Sequence, residues 1–589
     1  MPDTATEMKT LPPGWPAMSL AQAHAALTAP GMPFEMETLT IRGVETRVWK
    51  NAPPSLRAEV DLARTWAKDR IFLVFEDERV TFDAFHRAVS AFMRELQAKG
   101  VKKGDRVALV MRNYPEWPVA FYAAVSLGAI CTPLNAWWTG PELEYGLIDS
   151  GSKVLIADAS SALRLQEHLP NCPDLKWVYV SRAVDEIAHP NVIKLDEVIG
   201  AADTWASLPD EDLPAAELGP EDPATIFYTS GTTGKPKGAL GTHRNITSNV
   251  MAAAFGAARA FLRRGEQPPA PDPNALQGSI LLSVPFFHAT GCFAILGPTL
   301  VGGGKIVMMY KWDPIRAFEL IQREKIRAAG GVPTIAWQLI EHPARADFDL
   351  SSLESVSYGG APSAPELVRK IKESFPNSQP GQGWGMTETS ATFTGNSAED
   401  YINRPDSCGP AVPVCDMKIC SPDDPTGKPL PTGTVGELWG AGPNIVVEYW
   451  NKPEATAQTF VNGWVRTGDL ARIDEEGFCY IIDRAKDMLI RGGENIYCVE
   501  VENVLYEHPA VMDAAIVAVP HKTLGEEPGA VVTLKEGGHA TEAELRAFVA
   551  ERLAAFKVPV KVVFWHETLP RNANGKILKN ELKKVFAEG

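Results

Sequence analysis

Apolar positions along the chain alternate between two periods. Over residues 82–99 they recur every three to four positions, the spacing of one helix face, and residues 118–127 read as a second helix. Between such segments lie short apolar runs at 106–111, 154–157, 177–180, 225–228 and 305–310. Each is bounded by polar or turn residues and reads as a buried strand. Asp313 followed by Pro314 predicts a capped helix start with proline in its first turn. This alternation predicts α/β layering with mostly parallel strands, in which ligands sit at the carboxyl ends of the strands. From about residue 400 to 483 the pattern turns strand-rich, with frequent glycine and proline. After Arg484 comes a compact α+β segment, whose clearest helix is expected over 541–556. There Thr541 and Glu544 can form a capping box, and Leu545, Phe548, Val549, Leu553 and Phe556 share a face.

Two segments stand out. Residues 278–304 carry no Asp, Glu, Lys or Arg and are long enough to span a bilayer. Pro285, His288, Gly291, Gly297, Pro298 and Gly302–Gly304 interrupt the run, so a buried strand, turn and helix of a soluble core is expected instead. Residues 264–278 are proline-rich and read as an exposed loop. Residues 1 to about 55 read as an extension leading into the first domain, and no fixed-period repeat is present.

At 589 residues the chain implies more than one domain, and 45% hydrophobic content suits globular cores. The formal net charge of −16 argues against nucleic acid, which needs a basic surface. Eight cysteines without CxxC pairs indicate neither a zinc site nor a disulfide scaffold. The N-terminus lacks a basic-then-apolar signal peptide, no transmembrane segment is expected, and a cytoplasmic protein follows.

The stretch YTSGTTGKPKG at 228–238 packs hydroxyls, glycines and two lysines into eleven positions after a strand-like run, which suggests phosphate binding. It is not a P-loop of the common NTPases. Only two residues lie between Gly231 and Gly234 where four are needed, and Pro236 follows Lys235 where the Mg²⁺-binding hydroxyl should stand. Further motifs follow. In QGWGMTET, Trp384 offers a flat face for a nucleobase, Thr387 a hydroxyl for phosphate, and Glu388 a carboxylate for Mg²⁺. In GWVRTGDL, Asp469 could accept hydrogen bonds from two ribose hydroxyls. PRNANGKI places Lys576 after a glycine near the C-terminus. Taken singly, each has a plain reading as a turn, a helix start or a solvated lysine.

Taken together and in this order, with FFHATG, YGGAP and DRAKDM, these motifs resemble those of the adenylate-forming superfamily of acyl-CoA synthetases, adenylation domains and beetle luciferases. The resemblance runs from about residue 60 to 586. It implies a large N-terminal domain of layered α/β subdomains with a small β-rich subdomain (1–485), and a small mobile α+β C-terminal domain (486–589). It implies ATP, Mg²⁺ and coenzyme A. By resemblance, Thr229, Ser230, Gly231, Thr232, Thr233, Gly234 and Lys237 hold the β,γ-phosphates, Thr387 contacts the α-phosphate and Glu388 holds the metal. Gly359, Gly360, Ala361, Pro362, Trp384 and Gly385 line the adenine pocket, and Asp469 and Arg484 hold the ribose. Lys576 bridges the acid and ATP during adenylation. Lys486 is the hinge on which the C-terminal domain turns, and Gly492, Gly493 and Glu494 then line a tunnel for the CoA arm.

His288 matches the residue beside the acyl carboxylate, and Thr290, Gly383 and Met386 join it in the acyl pocket by resemblance. Small residues there leave room for a bulky apolar tail. No motif Asp is present to hold an amino group, as amino-acid-activating relatives have, and no motif cation is available for a second carboxylate. A hydrophobic monocarboxylic acid is expected, either a medium or long fatty acid or an aryl or arylalkanoic acid. The expected activity is acid–CoA ligation; the alternatives are an adenylating enzyme that loads a carrier protein and a non-catalytic nucleotide-binding relative. No carrier domain is visible in the chain, which favours free CoA. The partners expected are these small molecules, with a homodimer as the one protein assembly considered.

Overall fold

The computed structural model describes residues 14–183, 187–229, 235–269, 276–361, 363–492, 494–572 and 575–586. Among the described residues, two eight-stranded sheets form the bulk of the N-terminal part. The first has Arg106–Val110 at its centre, flanked in parallel by Ile130–Pro133 and Val154–Asp158. The second runs in parallel from Ile71–Phe75 to Gln379–Trp384 through Lys305–Met308, Ser279–Leu282, Ala328–Gly331 and Ser355–Gly359. Antiparallel strands sit at their edges.

Helices Phe82–Ala98 and Glu116–Leu127 pack in one apolar core with residues of both sheets. Every residue of Glu116–Leu127 is buried. A helix covered on all sides needs no polar stripe, and so its sequence shows no clean amphipathic period. The charge-free run resolves into the strand Ser279–Leu282, a turn, a π-helical turn Thr290–Leu296 and the helix Gly297–Val301. No described helix is long and apolar enough to cross a membrane.

The N-terminal extension forms structure of its own. Ser19 caps the helix Leu20–Leu27, and a hairpin pairs Met36–Ile41 with Val44–Trp49. Ala23, Leu27, Phe34 and Trp49 share a core with Phe255 and Leu262 of the long helix His243–Arg264. The fully buried Arg263 at the end of that helix binds Asp400 at 2.6 Å and the Met18 carbonyl at 2.7 Å. The expected loop at 264–278 begins one residue late, because Arg264 still belongs to this helix, and its residues 270–275 lie outside the described residues.

A third sheet holds Asp416–Cys420, Gly436–Ala441, Trp464–Ile473 and Cys479–Arg484. A fourth, from Leu489 to Phe564, is covered by helices Cys498–Tyr506 and Glu542–Ala550. The second of these is shorter than the expected 541–556. The Thr541–Glu544 capping box starts it, but beyond Ala550 Arg552 bonds back three residues to Val549, and the chain resumes as the 3-10 turn Ala555–Lys557. All eight cysteines are buried and unbridged.

Candidate active site

A cavity of about 750 Å³ lies where the sheets of the N-terminal part meet the C-terminal α+β segment. Its wall includes His288, Gly360, Ala361, Gly383, Trp384, Gly385, Met386, Asp469, Arg484, Lys486 and Lys576. Residues spread over 289 positions of sequence, from His288 to Lys576, thus meet at one place.

Each group is set by its local backbone. The turn carrying His288 is pinned by Asn113, whose amide donates to the Val284 carbonyl and whose carbonyl accepts from Phe286 N–H. Gly291 closes that turn: a Cβ there would lie 2.2 Å from the Pro285 carbonyl oxygen. Burial, with the Lys576 charge as a smaller cause, lowers the His288 pKa to about 3, so the ring is neutral, and its Nε2 is buried with no hydrogen-bond partner. Asp469 and Arg484 face each other across the antiparallel pair Trp464–Ile473 and Cys479–Arg484, with Arg484 Nε 3.3 Å from Asp469 Oδ1. Trp384 Nε1 donates to Asp469 Oδ2 at 2.8 Å.

Lys576 sits on a hairpin turn whose backbone N–H is held by Asn572 Oδ1 at 3.0 Å, while Asn572 N–H bonds the Lys576 carbonyl at 2.8 Å. Its side chain is half-buried. Desolvation, then the Arg484 charge, lowers its pKa to about 8, opposed by Asp469 and Glu388. Glu388 is buried, and its Oε1 accepts from Tyr449 OH at 2.5 Å. Lys237 Nζ lies 4.3 Å from the centre of the same tyrosine ring. Thr229 N–H bonds the Lys237 carbonyl at 2.8 Å, closing the base of the glycine-rich loop. Tyr449 therefore joins the loop's lysine to the candidate metal carboxylate. No motif pointed to it; a lone tyrosine 61 residues from its partner carries no sequence signal.

Not every expected site residue lines the cavity: Lys237, Gly359, Thr387 and Glu388 are outside its wall. Thr290 is not part of the cavity wall, because it starts the π-helical turn behind His288. Gly359 serves strand packing: a Cβ there would lie 2.7 Å from the Gly383 carbonyl oxygen. Gly492 and Glu494, expected at the site only after the C-terminal segment has turned, belong to the hairpin of Leu489–Arg491 and Glu494–Ile496, with Gly492 N–H bonded to the Leu524 carbonyl, and do not line the cavity in this pose. Ser230, Gly231, Thr232, Thr233, Gly234, Pro362 and Gly493 lie outside the described residues.

The donor set fits a magnesium nucleotide. The Glu388 carboxylate, held through one oxygen, has lone pairs left for a hard cation. Paired Asp469 and Arg484 suit a ribose, and Lys237 and Lys576 suit phosphate oxygens. Chemically, this is a centre for activating a carboxylate with a nucleotide.

The comparisons agree with that class. The family profile described as AMP-binding enzyme matches residues 61–450, and that of the AMP-binding enzyme C-terminal domain matches residues 500–576. The chain belongs to the AMP-binding enzyme family. It is 33% identical over 510 residues to a feruloyl-CoA synthase of Amycolatopsis sp, covering 86% of this chain and 94% of the relative. It is 34% identical over 516 residues to the long-chain-fatty-acid–CoA ligase FadD13 of Mycobacterium tuberculosis (strain ATCC 25618 / H37Rv), covering 87% and 94%. Among solved structures it is similar to the anthranilate CoA ligase AuaEII in complex with anthranoyl-AMP, at a TM-score of 0.77 and 26% identity over 90% of this chain and 96% of that one. It is also similar to the o-succinylbenzoate CoA synthetase MenE of Bacillus subtilis in complex with ATP and magnesium ion. There the TM-score is 0.71 and the identity 30%, over 89% of this chain and 99% of that one.

Proposed function

We propose that this chain joins a hydrophobic monocarboxylic acid to coenzyme A in two half-reactions, with the residue roles given below. It is an ATP-dependent acid–CoA ligase: acid, ATP and CoA give acyl-CoA, AMP and diphosphate through an acyl-adenylate. The observation that carries the reading is Lys576, which lines one cavity with His288, Asp469 and Arg484 although it comes from the far end of the chain.

In the first half-reaction an oxygen of the acid's carboxylate attacks the α-phosphorus, and the bond from that phosphorus to the bridging oxygen of the diphosphate breaks. An anion attacks an anion here, so placed positive charge and donors carry most of the catalysis. Lys576 pairs with the acid's carboxylate and the α-phosphate, Thr387 donates to the α-phosphate, and Lys237 and Thr229 hold the departing phosphates. Asp469 and Arg484 orient the ribose, and the Trp384 ring stacks on adenine. Neutral His288 packs beside the acyl carboxylate without adding charge. Glu388 would hold Mg²⁺, which when bound supplies charge neutralisation along the phosphates.

In the second half-reaction the CoA thiolate attacks the acyl carbonyl and AMP leaves. We infer that residues 486–589 act as a separate domain that turns about Lys486. The turn withdraws Lys576 and brings the hairpin of Gly492 and Glu494 to the cavity, a lid motion that exchanges catalytic parts. That hairpin contributes neither Gly492 nor Glu494 to the present cavity wall, which supports a reading in which the pose described here serves adenylation. The acid is a medium or long fatty acid or an aryl or arylalkanoic acid, a range that relatives named for feruloyl and long-chain fatty acyl groups bracket. A cytoplasmic location is proposed from the eight unbridged cysteines. A homodimer is proposed for test by sedimentation.

The test is to incubate the protein with ATP, Mg²⁺, CoA and a pooled panel of fatty, aryl and arylalkanoic acids and to read acyl-CoA masses. One dominant thioester is expected. AMP and diphosphate without thioester would move the acceptor to a carrier protein, and absence of turnover on every acid would overturn the proposed substrate class.

A further inference from the structure

We propose that Trp384 is a positioning residue for the ribose: its indole N–H fixes the Asp469 carboxylate and so sets how strongly the enzyme distinguishes ATP from its deoxy analogues. The proposal rests on the reading of Asp469 as the ribose carboxylate.

The geometry is specific. Asp469 is held on both oxygens, by Trp384 Nε1 at 2.8 Å on Oδ2 and by Arg484 Nε at 3.3 Å on Oδ1. Its side chain is only 8% exposed. Its backbone N–H is bonded to Thr467 Oγ1 at 3.1 Å, and Thr467 in turn donates to the Leu438 carbonyl. A carboxylate held at both oxygens keeps its remaining lone pairs in a fixed orientation. Asp469, Arg484 and Trp384 all line the cavity, so those lone pairs are available to a nucleotide there.

The indole is itself clamped. Trp384 ends the strand Gln379–Trp384 and pairs with Thr394 in the antiparallel neighbour. Its ring meets the fully buried Phe393 edge-on, with centroids 5.7 Å apart at 84°. Indole N–H donates only and cannot switch to accepting, so the bond to a carboxylate has one sense. A phenyl ring at this position could stack on adenine but could not hold Asp469. The stacking role and the positioning role of Trp384 are therefore separable by experiment.

The measurement is kcat/KM for adenylation, by diphosphate release, with ATP, 2′-deoxyATP and 3′-deoxyATP, in the wild type, Trp384→Phe and Asp469→Asn. A hydrogen bond to a charged group is worth about tenfold to a hundredfold in affinity. For Trp384→Phe the ATP value is expected to fall by about that factor, and the ratio of ATP to deoxyATP to shrink towards that of Asp469→Asn. A purely packing or stacking role would lower all three nucleotides alike and leave the ratio unchanged. If Asp469→Asn loses the discrimination while Trp384→Phe keeps it, the ribose reading stands and the positioning proposal is overturned. If Asp469→Asn itself leaves the ratio unchanged, the ribose reading falls and the proposal with it. Should Trp384→Phe fold poorly, Trp384→Tyr, which keeps a ring but moves the donor, is judged by the same ratio.

Discussion

Gly575 gives the sharpest test of the two-pose mechanism. It precedes Lys576 with φ at +72°, and a Cβ there would come within 2.9 Å of one Val332 methyl and 3.2 Å of the other. Val332 stands just before the helix Pro333–Glu341 in the N-terminal part, so in the proposed two-pose mechanism the contact exists only while Lys576 is docked in the cavity. Gly575→Ala therefore introduces two separable costs. The left-handed backbone of an alanine costs about 1–2 kcal/mol in either pose, because it is local to the turn. Overpacking against Val332 costs about 1–3 kcal/mol and falls on the docked pose alone, since a β-branched neighbour has little rotamer freedom with which to yield. A factor of ten corresponds to about 1.4 kcal/mol, so adenylation should slow by roughly 5- to 150-fold from the contact alone. Thioester formation from supplied acyl-adenylate should be nearly unchanged. Val332→Ala in the same chain removes the methyls and should restore most of the adenylation rate while leaving the backbone strain, visible as a persistent loss in thermal stability. The assay is the two half-reactions measured separately on the four proteins of this cycle. Equal slowing of both half-reactions, or no recovery on adding Val332→Ala, would refute the docking argument.

Four further outcomes are expected. Lys576→Ala should abolish acyl-adenylate formation and spare the thioester step; equal loss of both would refute its assigned role. Because burial brings Lys576 to about 8, its charge is present below that pH and lost as pH rises through it. Adenylation kcat/KM for the free enzyme should thus decline above about pH 8, and a Lys576→Arg protein, whatever its absolute rate, should lack that limb up to about pH 10. Tyr449→Phe removes the donor on Glu388; at about 1.5–3 kcal/mol for a hydrogen bond to a charge, adenylation should weaken about tenfold or more and need more Mg²⁺, and an unchanged Mg²⁺ dependence would dismiss the link. Lys486→Pro should leave adenylation intact and slow thioester formation, and normal rates in both steps would remove Lys486 as the hinge.

The groups proposed to do the chemistry were legible because each stands in a short run whose residue types have few other uses together. Glu388, Asp469, Arg484 and Lys576 could be singled out before any fold was known, and the cavity gathers three of them in its wall with Glu388 close enough to favour the charged form of Lys576. The parallel sheets were legible for a related reason: strands buried on both faces are short apolar runs, and they stand out between helices. What escaped were relations between distant positions. Tyr449 reaches Glu388 and Trp384 reaches Asp469 through side chains whose own neighbours give no hint of a partner. The packing of Phe34 and Trp49 on Phe255 is of the same kind, and it turns an apparent leader into part of a core.

Glycine shows most clearly why sequence alone stops short. Gly359, Gly360 and Gly383 read identically as small residues around a ligand. In the fold, Gly359 lets two strands approach, with 2.7 Å from its absent Cβ to a carbonyl, and Gly360 has a φ of +75° with open space where a side chain would be. Gly383 is intermediate, with 3.3 Å to the Thr394 carbonyl oxygen. A missing side chain is thus a backbone requirement at one position, a conformational requirement at the next and a tight fit at the third. Only Gly360 has free volume beyond its backbone, although both Gly360 and Gly383 face the cavity. Gly360 is therefore the position of the three at which an added side chain would meet the bound ligands before it met the protein.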